Sequence, residues 1–233
     1  MKTMKAFLPV LVLLMAFSAT AQTADEIVDK YVTAMGGKEK LSSLKSAKME
    51  GVINVQGNDI SIAITKVQNT GMRMDLEIMG ANNYQIMNTK SGITFFPIRG
   101  MQSPEPMPDE QYKGALTQLD LQGTLFNYKD KGTTLEYLGT EKVESNEAYK
   151  LKATLKSGSV VNYFIDTKTN MLVKSSSKRM MQGVETEFET TFSDYKQNTD
   201  GFWFPYTTGT PQGTTSFDKI ETNIKVDPKM FEQ

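Results

Sequence analysis

Ile60-Ser61-Ile62-Ala63-Ile64 and, one turn later, Met72-Arg73-Met74-Asp75-Leu76-Glu77-Ile78 decide the fold. In both stretches every second residue is a large aliphatic or a methionine, and the residues between are small or charged. A period of two puts the apolar set on one face of an extended chain and the polar set on the other. That is the pattern of an antiparallel strand with one face dry and one wet. Asn69-Thr70-Gly71 divides the two stretches and Gln56-Gly57-Asn58-Asp59 precedes the first, both with the turn chemistry of hairpins.

The alternation recurs further along the chain. Tyr149, Leu151, Ala153 and Leu155 alternate with Lys150, Lys152 and Thr154, and Thr186, Phe188, Thr190 and Phe192 alternate with Glu185, Glu187, Glu189 and Thr191. Lys156-Ser157-Gly158-Ser159, Asp166-Thr167-Lys168-Thr169-Asn170, Gln182-Gly183 and Thr199-Asp200-Gly201 supply further turns. Short strands at regular spacing with few helices predict a mainly β (α+β) fold built as an antiparallel meander, not βαβ units.

Two helices break the pattern. Thr23-Ala24-Asp25-Glu26 is a capping box, Ile27, Val28, Tyr31, Val32 and Met35 follow on one helical face, and Gly36-Gly37 ends the run. Lys38 to Leu44 adds a short second turn. Pro97, Pro104, Pro106 and Pro108 exclude an interior strand between them. Asp109 to Gln122 then reads as a helix with Tyr112, Leu116 and Leu119 on a face, either a packing helix or a flap over a cavity.

The first 21 residues read as a secretory signal peptide. Lys2 and Lys5 precede an apolar run from Ala6 to Phe17, and Ala19-Thr20-Ala21 is a small-x-small cleavage signal. The run is shorter than the roughly 20 residues that span a bilayer core. Cleavage after Ala21 is expected, leaving residues 22–233 as a single domain. With no cysteine in the chain, the exported protein is expected to carry neither a thioether lipid anchor nor a disulfide, and to be soluble in a bacterial periplasm.

Composition removes several function classes. The chain has no histidine and no cysteine, so it lacks an imidazole base, a thiolate nucleophile and the usual zinc ligands. No phosphate-binding or dinucleotide-binding glycine motif is present. Glu185, Glu187 and Glu189 share the face opposite Phe188 and Phe192 and read as a solvated outer face. No enzyme activity, metal or cofactor is expected. The net charge of −1, with no basic block, argues against nucleic acid and against a polybasic grip on a membrane.

Several short segments, taken in order, carry a family resemblance. They are Ala24-Asp25-Glu26-Ile27-Val28-Asp29-Lys30-Tyr31 with Gly36-Gly37, Tyr163-Phe164-Ile165-Asp166-Thr167-Lys168-Thr169 and Phe192-Ser193-Asp194-Tyr195-Lys196. Asp200-Gly201-Phe202-Trp203-Phe204-Pro205 and Asn223-Ile224-Lys225-Val226-Asp227-Pro228-Lys229-Met230-Phe231 complete the set. The chain resembles the periplasmic lipoprotein carriers LolA and LolB, and especially the outer membrane lipoprotein-sorting proteins common in Bacteroidetes. The resemblance implies an incomplete β-barrel with an N-terminal helix and a helical flap covering its concave face, around a cavity that takes acyl chains. Family carriers have an Arg-Pro pair where one strand turns into the next; the corresponding region here is Lys66-Val67-Gln68-Asn69.

These readings converge on a non-enzymatic periplasmic carrier or binding protein for acyl chains, lipoproteins or other apolar ligands. The cavity candidates are Ile60, Ile62, Ile64, Met72, Met74, Leu76, Ile78, Phe188 and Phe192. Methionine, flexible and polarisable, suits a face that must accept variable apolar groups. The alternative is a structural or interaction module of the cell envelope with a packed interior and no ligand. A transient inner- or outer-membrane protein partner and a monomeric state are further expectations.

Overall fold

The computed structural model describes residues 23–181 and 184–232; the expected signal peptide and the Gln182-Gly183 turn lie outside the described residues. The chain first lays down β1 (Ser46–Val55), β2 (Asn58–Val67), β3 (Gly71–Ile78), β4 (Ala81–Asn88), β5 (Gly92–Phe95) and β6 (Glu105–Pro106). It then forms β7 (Thr134–Val143), β8 (Asn146–Thr154), β9 (Val160–Asp166), β10 (Leu172–Met181), β11 (Val184–Gln197), β12 (Trp203–Thr210) and β13 (Gly213–Thr222). Among the described residues these 13 strands make one sheet in the order β6-β5-β4-β3-β2-β1-β13-β12-β11-β10-β9-β8-β7. Every pairing is antiparallel, as the alternation and the turns predicted, and β6 and β7 do not meet, so the sheet is the open half-barrel that the family resemblance implied.

That order forces one long crossing. The first meander runs outward from β1 to the β6 edge, and the second begins at the opposite edge with β7 and works back until β13 pairs with β1. The segment from Met107 to Thr133 must therefore travel from one edge of the sheet to the other. It does so over one face, burying Met107, Ala115, Leu119, Leu125, Phe126 and Tyr128. We call this the inner face.

The N-terminal helix α1 (Ala24–Ala34) covers the β7–β10 half of the same face. Its capping box forms as the sequence predicted: Thr23 N–H donates to Glu26 Oε2 at 2.9 Å and Glu26 N–H donates to Thr23 Oγ1 at 3.2 Å. Ile27, Val28, Tyr31 and Val32 pack with Leu125, Phe126, Leu151 and Ile165. The short α2 (Lys38–Ser43) follows. The helix expected over Asp109–Gln122 is shorter: α3 spans Asp109–Ala115 and tightens into a 3-10 turn at Leu116–Leu119. Gly114 weakens it from within, and the Leu119 carbonyl leaves the helical ladder to accept Asn69 N–H at 2.8 Å.

The opposite face is capped at one end by the C-terminal segment, where Phe231 packs on Ile86 and Ile93 with Val67, Tyr84 and Val226 around it. Two glycines make room for close approaches. At Gly51 the β1–β13 register shifts, and a Cβ there would stand 2.0 Å from the Ser216 carbonyl oxygen. At Gly71 a Cβ would stand 2.3 Å from the Phe231 ring.

Candidate functional site

Register brings the nine candidate residues onto the inner face. Directly opposed residues of neighbouring antiparallel strands share a face. One such row runs Phe192, Thr208, Thr215, Ile53, Ile60 across β11, β12, β13, β1 and β2, and Ile78 keeps the phase of Leu76 on β3. The next inward row contains Gly51, Ile62 and Leu76, and the next Met49, Ile64 and Met74. The last contains Ala47, Lys66, Met72 and Met87. Phe188, opposite Ser177, keeps the phase of Phe192.

The rows differ in cover. Met72 and Met87, 3% and 0% exposed, lie with Ile64 beneath Met107, Tyr112, Ala115 and Leu119 of the crossing segment. This end of the face is a methionine-rich packed cluster. Ile62 is also buried, whereas Ile60, Ile64, Met74, Leu76, Ile78, Phe188 and Phe192 are half-buried. A stripe of apolar side chains thus continues from under the crossing segment along β2 and β3 with part of its surface open to water.

Ile53, Met49 and Lys66 belong to these rows and are absent from the nine. Ile53 follows once the Gln56-Gly57 hairpin fixes the β1–β2 register, which the sequence pattern does not number. Lys66 carries a simpler signal: it stands in phase with Ile60, Ile62 and Ile64, where the alternation calls for an apolar residue.

The crossing segment is pinned over the Lys66 row by a polar node at Asp120. Gln68 Nε2 donates to Asp120 Oδ1 at 2.8 Å, Lys131 Nζ to Asp120 Oδ2 at 2.6 Å, and Gln122 N–H to Gln68 Oε1 at 3.1 Å. Burial lowers the Lys66 pKa to about 8, with the charge of Asp120 opposing the shift. Burial also raises the pKa of Tyr31, Tyr163 and Tyr195, whose phenols therefore stay neutral. The Tyr195 hydroxyl donates to the Leu172 carbonyl at 2.8 Å.

Glu185 and Glu189, read from the sequence as part of a solvated outer face, pair with lysines. Lys178 Nζ lies 2.8 Å from Glu185, and Lys174 pairs with Glu189 across the β10–β11 hairpin. Asp166 Oδ1 accepts from Lys168 N–H at 2.9 Å and Thr169 N–H at 2.7 Å, closing a local Asx turn. Burial raises its pKa, and these bonds outweigh that and lower it. A cleft of about 280 Å³ lies between α1 and residues 125–130, lined by Val28, Val32, Leu125 and Phe126 among others. Its Asp25 is held ionised by Lys129, 2.6 Å away, and by the Tyr128 hydroxyl. Among the described residues no three acidic side chains converge as a metal site requires, and no helix is long and apolar enough to cross a membrane.

The architecture has solved counterparts. A LolA superfamily protein from Nitrosomonas europaea superposes with a TM-score of 0.59 at 11% identity, over 91% of this chain and 99% of that one. The fold is LolA-like. A domain assigned to outer membrane lipoprotein sorting from Vibrio parahaemolyticus shares the LolA-like arrangement, with a TM-score of 0.53 at 13% identity over 89% of this chain and 95% of that one. A DUF1329 family protein from Desulfovibrio piger does so with a TM-score of 0.55 at 12% identity over 91% and 98%. No family model and no curated protein matches the chain at a significant level.

Proposed function

We propose that the protein is a non-enzymatic periplasmic carrier of acyl chains, including those of lipoproteins, bound on the inner face of the LolA-like sheet. The observation that carries this reading is the half-buried stripe of Ile60, Ile64, Met74, Leu76 and Ile78, which runs out from beneath the crossing segment. From Ile60 to Lys66 the stripe extends for about 20 Å at a strand's rise of about 3.3 Å per residue. One acyl chain fills about 15 Å, half the hydrocarbon core of a bilayer. Burying about ten methylenes gains roughly 8 kcal/mol, which exceeds the lower estimates of the cost of association.

The crossing segment supplies the moving part. α3 has seven residues and no side-chain cap at its start, too short to hold its shape without packing. It rests on Met72 and Met87 through Met107 and Tyr112. Thioether side chains repack at low cost, so an acyl chain can displace this cluster and be covered by it. The packed methionines also suit the envelope-module alternative, which predicts an empty purified protein. Native mass spectrometry of protein isolated from a periplasmic fraction separates the two. Bound acyl species are expected; recovery without lipid, together with no binding of a fluorescent fatty acid, rejects the carrier.

A further inference from the structure

The apolar stripe ends on a cation. Lys66 continues the phase of Ile60, Ile62 and Ile64 and stands opposite Ala47 on β1 and Met72 on β3, which are 0% and 3% exposed. Neither neighbour's side chain offers an oxygen acceptor. Among the described residues Lys66 makes no hydrogen bond or ion pair, while Lys131, Lys174 and Lys178 each have a carboxylate. The acid that faces it from the crossing segment, Asp120, is already held by Lys131 and Gln68. Beyond Ala47 on the same row, Thr222 donates to Asp200 Oδ2 at 2.6 Å. Tyr31 on α1 and Tyr163 on β9 feel the same Asp120 charge, and burial keeps both phenols neutral.

Lys66 itself is half-buried, its stem between the two covered neighbours, and an ammonium without a partner in surroundings this apolar disfavours the fold until an anion arrives. We infer that Lys66 binds the anionic head of the ligand, so that the inner face selects a long-chain amphiphile with one carboxylate over a neutral one. The acyl chain lies along Ile64, Ile62 and Ile60, and the head sits under the crossing segment beside Met72. This rests on the carrier reading and adds the chemistry of the ligand's polar end. With its pKa near 8, Lys66 is charged at neutral pH and loses its proton in alkali, where the selectivity disappears.

The test is calorimetric titration of the full chain with oleate and with oleyl alcohol, at pH 7 and pH 10. Oleate is expected to bind at least about tenfold tighter than the alcohol at pH 7, a ratio of the size one charge-assisted contact gives. That ratio falls toward one at pH 10. It also falls toward one in Lys66→Met at pH 7, whereas Lys66→Arg keeps it at both pH values. An oleate preference that survives both Lys66→Met and pH 10 overturns the assignment of Lys66 while leaving the carrier. Binding of neither probe overturns the carrier reading and this inference with it. If Lys66→Met does not fold, the pH series on the unmodified chain and Lys66→Arg decide alone.

Discussion

Gln68, in the β2–β3 turn, donates from Nε2 to Asp120 Oδ1 of the crossing segment at 2.8 Å. The same carboxylate holds Lys131 Nζ at 2.6 Å, with the Lys131 and Asp120 side chains 26% and 14% exposed. This node, with Asn69 N–H on the Leu119 carbonyl, ties the crossing segment to the strands beneath it. Asp120→Asn keeps the shape and removes the charge that Lys131 needs. A loss of about 2–3 kcal/mol is expected, since one partner of a largely buried pair is left without compensation. Hydrogen exchange should speed up first at Asn69 and Gln122. Uniform acceleration across the sheet would show that the node supports the whole fold and not the crossing segment.

Met74 and Met72 lie on the same face with different cover. Met72 is 3% exposed beneath Met107 and Leu119, and Met74, one row outward, is half-buried. Met72→Asp should unfold the protein or cost more than about 4 kcal/mol, the penalty of a charge in a packed core. Met74→Asp should leave a cooperative melting transition and abolish acyl binding. Urea melts with fatty-acid titration separate the two, and equal unfolding of both variants would mean that the whole face is core.

The β architecture was legible because its signal is local. Each alternating run lies within one strand, and each break is a turn that Gly57, Gly158 or Asp166 can make by itself. The capping box at Thr23 and Glu26 was legible for the same reason. What the sequence could not display was cover. Met72 and Met74 have the same chemistry and phase, yet one is buried and the other half open, because only Met72 lies in the cluster under the crossing segment, which comes from dozens of residues away. The end of α3 was missed because the partner of the Leu119 carbonyl is Asn69, 50 positions earlier. Lys66 was visible as a breach of the pattern, and only its two apolar neighbours across the strands give that breach a meaning.

Lys66 also makes stability depend on pH. Its pKa falls from 10.5 to about 8 on folding because burial disfavours the ammonium. Between those values the unfolded chain binds more protons than the folded one, so the contribution of this residue to stability rises with pH from about 8 to 10.5 and is flat below. Lys66→Met removes that slope. The variant should therefore be more stable than the parent at pH 7, by about 1–2 kcal/mol after allowing for partial exposure, with the gain vanishing near pH 10.5. Thermal melts at pH 7, 9 and 10.5 check this. A variant less stable at pH 7 would mean that Asp120 outweighs the burial of Lys66.

Phe231 reaches Gly71 from the face opposite the stripe, and the two make a separable test of the scaffold. A Cβ on Gly71 would lie 2.3 Å from the Phe231 Cγ and 2.5 Å from its Cδ2. Strand backbone at this position suits alanine, so the effect of Gly71→Ala is steric. The ring must leave its seat on Ile86 and Ile93, at an expected cost of about 1–3 kcal/mol. Phe231→Ala alone should cost about 3–5 kcal/mol, as for other buried aromatic truncations. In the double variant the alanine at position 71 meets no ring, so the two losses should fall short of additivity by about the whole Gly71→Ala effect. Strict additivity would show that the C-terminal segment does not sit on Gly71 in solution. Oleate affinity in Gly71→Ala should stay within about twofold of the parent, because the displaced ring and the acyl stripe are on opposite faces of the sheet.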